Sequence, residues 1–198
     1  DTLKQLIPVS EQSALLSHIK RIINHLETLL DGCFLLGELS PRTADTILSF
    51  GELLSSFIIA EALKQNLKST NYKDSRELIK TNATFGKASV NFEVSNRLIQ
   101  DYFATNTSKV VLLPGFIGAT EDGITTTLGR GGSDYSAAIL ASALATEELE
   151  IWTDVNGMYT ANPKLVKQAQ PIATISYQEA MELSHFGAKV LYPPTIQP

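Results

Sequence analysis

The first third of the chain carries apolar residues at intervals of three and four, the spacing of one face of a helix. This pattern predicts a first helix over Ser10–Leu30, with Gly32 as its stop. Ser40-Pro41 is a typical helix start, because serine caps the first N–H groups and proline fits the first turn. A second helix is predicted over Thr43–Lys64. Gly51 in its middle costs about 1 kcal/mol relative to alanine, so we expect a kink or the close approach of a ligand there.

After Leu67 the pattern alternates short apolar runs with helical segments. It predicts helices over Ser95–Phe103, Ser133–Leu144 and Tyr177–Ser184, and strands near Glu77–Ile79 and over Lys109–Leu113, Leu149–Thr153 and Val190–Pro194. A long polar loop is predicted over Gly118–Gly132. Strands that alternate with helices indicate an α/β fold with parallel strands. Ligands bind such sheets beyond the carboxyl ends of the strands, so the loops after Leu113 and Thr153 are the expected functional loops.

Composition and charge narrow the class of protein. The 198 residues are 43% hydrophobic and carry a net charge of −5, which favours a globular fold over disorder. No basic run of five residues occurs, which argues against nucleic acid and anionic membranes as partners. The longest apolar run, Ala137–Ala145, is too short to span a bilayer, and the first residues resemble no signal or transit peptide. We therefore predict a soluble, cytoplasmic protein.

The strongest local signal for chemistry is the glycine-rich segment Thr125–Asp134. Three glycines surround Arg130, and Ser133-Asp134 opens a predicted helix. Backbone N–H groups at a helix N-terminus bind anions, and a guanidinium group matches a carboxylate or phosphate. The alternative is a plain glycine turn with Ser133 or Asp134 as N-cap. The chain has neither a Gly-Lys-Ser/Thr phosphate loop nor a Gly-x-Gly-x-x-Gly motif after a strand.

Weaker signals accompany this segment. The loop after the predicted strand Leu149–Thr153 carries side chains suited to a nucleotide: Asp154, Tyr159 and Lys164. The alternative there is an ordinary Asn-Gly turn. Lys189 precedes the last predicted strand and is otherwise a solvated lysine, and Glu52 lies beside the mid-helix glycine and is otherwise a solvent-facing glutamate. The three histidines are scattered along the chain and predict no metal site.

These segments are more specific in combination than separately. They stand in a characteristic order and spacing: Ser49–Glu52, Thr81-Asn82, Phe85-Gly86, Gly115–Gly118, Thr125–Asp134, Trp152–Tyr159 and Phe186–Leu191. In this order and spacing the chain resembles the aspartate kinase family over essentially its whole length. Gly37–Thr43 is most similar to aspartate kinases that are fused to homoserine dehydrogenase.

The resemblance implies a fold and a reaction. The fold is the three-layer α/β/α sandwich of the amino acid kinase (carbamate kinase-like) type, with a mostly parallel sheet. The reaction transfers the γ-phosphoryl group of MgATP to the β-carboxylate of L-aspartate and gives 4-phospho-L-aspartate for lysine, threonine and methionine biosynthesis. A carboxylate with a pKa of about 3.9 is ionised at neutral pH, so no general base is required. The implied partners are aspartate, ATP with its Mg²⁺ and further copies of the chain, without nucleic acid or membrane.

The resemblance also assigns roles around the substrate amino acid. Arg130 would clamp a substrate carboxylate, and Glu52 would receive the ammonium group. Gly131, Gly132 and Ser133 would line the aspartate pocket. Asp134 would orient catalytic lysines instead of acting as a base.

A second set of residues is assigned to the nucleotide. Thr153 and Asp154 would hold ATP, with Tyr159 against it, and Lys189 and Val190 would line the same site. Lys164 stands where arginine is frequent, so its contact with the nucleotide is weaker in geometry. Other departures are Tyr192 in place of histidine and Pro114 in place of glutamine.

The family opens with a Lys-Phe-Gly-Gly strand that binds the transferred phosphoryl group, and nothing like it precedes Leu3. The family's last kinase strands and its ACT domains likewise find no counterpart before Pro198. Residues 1–198 are therefore expected to be a kinase-domain fragment truncated at both ends. Without that lysine we expect the fragment alone to lack aspartate kinase activity and to associate through the gap.

Two other functions remain open. One is a kinase of another small carboxylate or amino acid on the same fold, acting on glutamate, carbamate or UMP. The pairing of Glu52 with Arg130 favours an α-amino acid over the last two. The other is a catalytically silent binding or regulatory module. The retention of several charged site residues together speaks against it: Arg130, Asp134, Asp154 and Lys189.

Overall fold

The computed structural model describes residues 2–185 and Thr195. It opens with three helices, α1 (Thr2–Leu6), α2 (Val9–Leu36) and α3 (Pro41–Asn66). The predicted stop of α2 at Gly32 is wrong, since the helix continues for another turn. It ends at Gly37, which adopts the left-handed conformation (φ 64°) and donates its N–H to Phe34 O at 3.3 Å. Glycine takes this conformation without steric cost, which makes it the usual helix terminator.

The predicted start of α3 is confirmed. Ser40 is the N-cap, and its Oγ accepts a hydrogen bond from the backbone N–H of Thr43 at 3.1 Å. Pro41 occupies the first helical position, where its missing N–H has no cost. The helix runs through Gly51 without a break, and no protein atom lies within 4 Å of the position that a Cβ would take there.

By length and composition alone, helix α3 is also apolar and long enough to cross a membrane. Core helices of globular proteins pass the same test of length and composition. In the structure α3 packs against α2 and against two strands, β1 (Thr70–Tyr72) and β4 (Thr125–Thr127). It also buries a charged side chain, Asp45. These contacts are those of a helix packed on a sheet.

Two strand pairs lie beside α3. β1 pairs with β2 (Val110–Leu112) in parallel, with Thr70 opposite Val110. β3 (Ile117–Ala119) pairs with β4 in an antiparallel hairpin. A bridge between Lys80 and Ala119 brings the segment after β1 against the hairpin. The expected α/β character is present, with one parallel and one antiparallel pair among the described residues.

Several predicted elements differ from the observed ones. The predicted loop over Gly118–Gly132 contains the hairpin, because its threonines are buried and paired across the two strands. The segment near Glu77–Ile79 begins as a short 3-10 helix, Ser75–Glu77. Leu149–Thr153 forms no strand, since no described segment pairs with it and Trp152 is 88% exposed. Strand β2 is half-buried, although its sequence predicts a fully buried strand.

The core lies between α4 (Phe92–Thr105) and α5 (Gly132–Leu144), and both helices confirm their predictions. Its buried members come from both helices, from the segment before α4 and from the segment between the two helices: Leu78, Ile99, Leu128, Ile139 and Ala143. Helix α6 (Tyr177–His185) is also confirmed. The predicted strand Val190–Pro194 lies outside the described residues.

Candidate active site

The glycine-rich segment and helix α3 form the two sides of one cleft of about 510 Å³. We call it the glycine-loop cleft, and its lining is Leu48, Glu52, Gly86, Phe116, Thr127, and Gly129 through Asp134. All residues predicted to bind the substrate amino acid therefore lie around one space. Glu52 comes from α3, while Arg130 and Asp134 come from a segment almost 80 residues further along the chain.

The glycines of this segment are required by its backbone. Gly129 (φ 76°) and Gly131 (φ 71°) are both left-handed, a region that other residues rarely adopt. A Cβ on Gly132 would lie 2.9 Å from Phe116 Cδ2, closer than real Cβ contacts. A Cβ on Gly129 would lie 3.1 Å from the carbonyl oxygen of Gly86. The glycines thus let the chain turn sharply and pack closely before α5 begins.

Helix α5 points its N-terminus at the glycine-loop cleft. Gly131 is its N-cap, and its first turn carries Asp134, which complements the positive end of the helix dipole. Ser133 and Arg130 are exposed at the rim. A helix N-terminus with an adjacent guanidinium group favours a bound anion. This side of the cleft therefore suits a carboxylate.

The opposite side of the cleft carries Glu52. Burial raises the pKa of the Glu52 carboxyl, and a hydrogen bond from the backbone of Gly115 partly offsets that rise. No ion pair between described residues includes Glu52 or Arg130. The cleft therefore holds two acidic side chains, Glu52 and Asp134, and one basic side chain, Arg130, and none of them forms an ion pair with another described residue. Such a cleft is complementary to a zwitterion.

Phe116 is a lining residue to which the sequence analysis assigned no role, although it lies in the segment Gly115–Gly118 and in the predicted functional loop after Leu113. It has a positive φ (69°), which is uncommon for a residue other than glycine. Its backbone N–H donates to Ser136 Oγ at 3.0 Å, and its ring packs over Gly132. Strained backbone of this kind costs free energy and often occurs at functional sites.

Asp45 was also missed. Its carboxylate is 1% exposed and accepts hydrogen bonds from three groups. These are the backbone N–H of Gly86 (3.0 Å), the backbone N–H of Thr127 (2.9 Å) and Thr127 Oγ1 (2.8 Å). Since these partners lie 41 and 82 residues away, no local pattern indicates the role of Asp45.

The residues predicted to bind ATP do not all line one cleft, unlike those predicted to bind the substrate amino acid. Thr153 lines a second cleft of about 500 Å³, together with Met158, Ile175 and other residues. Asp154, Tyr159 and Lys164 are not among the described residues that line it. The Thr153 hydroxyl lies within hydrogen-bond distance of Asp154 Oδ1 (3.2 Å), so these two side chains are adjacent. Lys189 and Val190 lie outside the described residues.

Metal-ligating side chains do not cluster in the part of the chain that the structure describes. No group of three or more His, Cys, Asp or Glu residues there is arranged to hold a metal ion. His18 and His25 instead contact phenylalanines of α3. The His18 ring is tilted against Phe57, with centroids 4.5 Å apart, and the His25 ring meets Phe50 edge to face, with centroids 5.4 Å apart.

The family model of the amino acid kinase family matches residues 9–198. The chain therefore belongs to the amino acid kinase family. Within it, the chain is similar to aspartokinases. It superposes on the crystal structure of E. coli aspartokinase III in complex with aspartate and ADP with a TM-score of 0.87 and 37% identity. That match covers 94% of this chain and 41% of the crystallised one.

Proteins that are similar to the chain in sequence are also named as aspartokinases. The chain is 35% identical over 198 residues to the chloroplastic bifunctional aspartokinase/homoserine dehydrogenase 2 of Arabidopsis thaliana, covering 100% of this chain and 22% of that protein. It is 39% identical over 181 residues to lysine-sensitive aspartokinase 3 of Escherichia coli, covering 91% of this chain and 40% of that protein. The chain thus spans well under half the length of these relatives.

Proposed function

We propose that the protein containing this chain transfers the γ-phosphoryl group of ATP to the β-carboxylate of L-aspartate. One observation carries the proposal: Glu52 and Arg130 line the same cleft beside the N-terminus of α5, and neither has an ionic partner among the described residues. An amino acid has an ammonium group and a carboxylate for these two charges. A crystallised relative with a TM-score of 0.87 is described as a complex with aspartate and ADP, which supports the same ligands.

The proposed chemistry fits a cleft without a general base. The bond between the γ-phosphorus and the bridging oxygen breaks, ADP leaves with the electron pair, and a β-carboxylate oxygen forms the new P–O bond. No proton has to be removed, because the attacking carboxylate is already ionised. What the protein must supply is alignment and positive charge near the transferred group. Arg130 and Glu52 orient the amino acid, and Asp134 orients catalytic lysines.

For the nucleotide we propose the second cleft and the loop beside it. Thr153 and Asp154 hold ATP, Tyr159 packs against it, and Lys164, Lys189 and Val190 complete the site. The Mg²⁺ enters with the nucleotide phosphates, since residues 2–185 show no acidic cluster that would hold it.

Replacing Asp154 with alanine in the full-length protein is expected to weaken ATP binding by about tenfold, since the charged carboxylate that accepts a hydrogen bond is lost. The affinity for aspartate should stay within about twofold, because Asp154 does not line the glycine-loop cleft. Calorimetric titration with each ligand measures both values. Asp122→Ala, which removes an exposed carboxylate of the hairpin turn, is the matched control. Equal ATP affinity in the Asp154 variant and the parent protein would refute this assignment.

Finer features of the proposal follow from the same family membership. We propose the three-layer α/β/α sandwich with a mostly parallel sheet, a homo-oligomer and a role in lysine, threonine and methionine biosynthesis. A cytoplasmic location stays a prediction, because several relatives are named as chloroplastic proteins.

A substrate panel tests the proposed function. The full-length protein is given ATP and either aspartate, glutamate, carbamate or UMP, and ADP release is measured. We expect turnover with aspartate to exceed that with glutamate by at least tenfold, because the longer side chain misplaces the attacking carboxylate. Preference for glutamate would point to another amino acid kinase, and no turnover with any substrate would point to a silent module.

A further inference from the structure

Asp45 is a buried charge without an ionic partner. Its side chain is 1% exposed, and none of the ion pairs within residues 2–185 includes it. Burying a carboxylate is costly unless hydrogen bonds replace the lost water. The bonds from Gly86 and Thr127 supply that replacement, and three of the four come from backbone N–H groups. A hydrophobic side chain could fill this space without the desolvation cost of a carboxylate, so the presence of Asp45 calls for an explanation beyond packing.

The position of Asp45 in α3 relates it to the glycine-loop cleft. It precedes Glu52 by seven residues, or about two helical turns and about 10 Å along the axis. Residues at this spacing lie on the same face of a helix. The face of α3 that presents Glu52 to the cleft is therefore the face that Asp45 fastens to the hairpin.

The partners of Asp45 belong to the opposite side of the cleft. Thr127 is the last residue of β4, and Arg130 follows three residues later. Gly86 touches the glycine-rich segment directly, since its carbonyl oxygen would lie 3.1 Å from a Cβ on Gly129. Both Gly86 and Thr127 line the cleft. Asp45 thus joins the helix that carries Glu52 to the segment that carries Arg130.

We propose that Asp45 is a positioning residue that fixes the separation of Glu52 and Arg130, and through it the fit of the zwitterionic substrate. This inference rests on the proposed function of the cleft. Asp45 does not touch the substrate in this scheme. It holds the ammonium-binding and carboxylate-binding groups at one distance, which matters because small displacements of such groups are costly for binding and reaction.

A carboxylate suits this position better than an amide. Both of its oxygens accept bonds, Oδ1 from Gly86 N and Thr127 Oγ1, and Oδ2 from Gly86 N and Thr127 N. An asparagine has only one acceptor oxygen. Its NH₂ group would face a backbone N–H, so the helix and the hairpin would move apart.

The test uses the full-length protein and compares its affinities for aspartate and ATP by calorimetric titration. Asp45→Asn is expected to weaken aspartate binding by about tenfold or more and to leave ATP binding within about twofold. Ile99→Val is the control, since it removes one methylene from the core between α4 and α5 and lowers the melting temperature without touching the cleft. It should leave both affinities unchanged.

A second pair of variants keeps the test decisive if Asp45→Asn fails to fold. Thr127→Val removes the hydroxyl that donates to Asp45, while Thr127→Ser keeps it. We expect the valine variant to bind aspartate about threefold more weakly and the serine variant to bind it like the parent.

Parallel losses of aspartate and ATP affinity, or equal behaviour of the valine and serine variants, would overturn the positioning role alone. A parent protein that binds no aspartate would overturn the proposed function and this inference with it.

Discussion

Replacing Arg130 with alanine in the full-length protein is expected to raise the KM for aspartate by roughly 10- to 100-fold, because a charge-assisted hydrogen bond is worth about 1.5–3 kcal/mol. The KM for ATP should change by less than about threefold. Arg130 is exposed at the rim of the glycine-loop cleft and lies beside the N-terminus of α5. Its loss therefore removes the proposed substrate contact and leaves the core intact.

Two further variants sharpen this expectation. Arg130→Lys keeps the charge but loses the planar fork, so its KM for aspartate should lie between those of the parent and the alanine variant. Arg97→Ala removes an equally exposed arginine from α4, away from the cleft, and should leave both KM values unchanged. Steady-state kinetics with each substrate varied in turn provide the values. An Arg130→Ala variant with the parent's KM for aspartate would rule out the clamp.

Replacing Glu52 with glutamine should have two opposite effects at neutral pH. The affinity for aspartate should fall by roughly 10- to 100-fold, because the ammonium group loses its charged partner. The protein without ligand should become slightly more stable, because burial raises the pKa of Glu52 and the ionised carboxylate opposes folding. The exposed part of the side chain keeps this gain small.

The pH dependence gives the sign of the second effect. A raised pKa in the folded state means that Glu52 lowers stability as the pH rises above its ordinary value of 4.5. The melting temperature of Glu52→Gln should therefore exceed that of the parent at pH 7 and equal it at about pH 4. Glu27→Gln, an exposed carboxylate of α2, is the control. If the melting temperatures of Glu52→Gln and the parent differ by the same amount at both pH values, the ionisation of Glu52 is not the cause of the difference.

The affinity for aspartate should depend on pH through the ionisation of Glu52. As the pH falls into the raised titration range of Glu52, the carboxyl becomes neutral and the affinity of the parent for aspartate should decrease. The Glu52→Gln variant should bind aspartate weakly throughout that range.

Local signals in the sequence were sufficient for the starts of α3 and α5 and for one side of the site. Ser40-Pro41 caps α3 as predicted, and the glycines around Arg130 form the sharp turn before α5. These features depend on residues adjacent in the chain. The membership of Glu52 in the same cleft came from the family resemblance, because a glutamate within a helix is ordinarily exposed to solvent.

Features that depend on distant partners could not be predicted. Helix α2 ends at Gly37 and not at Gly32. Because both residues are glycine, the local sequence does not indicate which of them ends the helix. Thr125–Thr127 is polar in sequence, yet pairs with β3 and is buried. Asp45 acquires its role only from groups 41 and 82 residues away. Leu149–Thr153 has the composition of a strand but finds no partner strand among the described residues.

The most direct measurement of the central claim identifies the product formed by the full-length protein. MgATP, aspartate labelled with ¹³C at the β-carboxyl and hydroxylamine are incubated with the protein, and the trapped hydroxamate is examined by NMR. We predict that ADP and the β-hydroxamate form in equal amounts and that both depend on the presence of aspartate. An α-hydroxamate, or ADP release without any hydroxamate, would contradict the proposed transfer to the β-carboxylate.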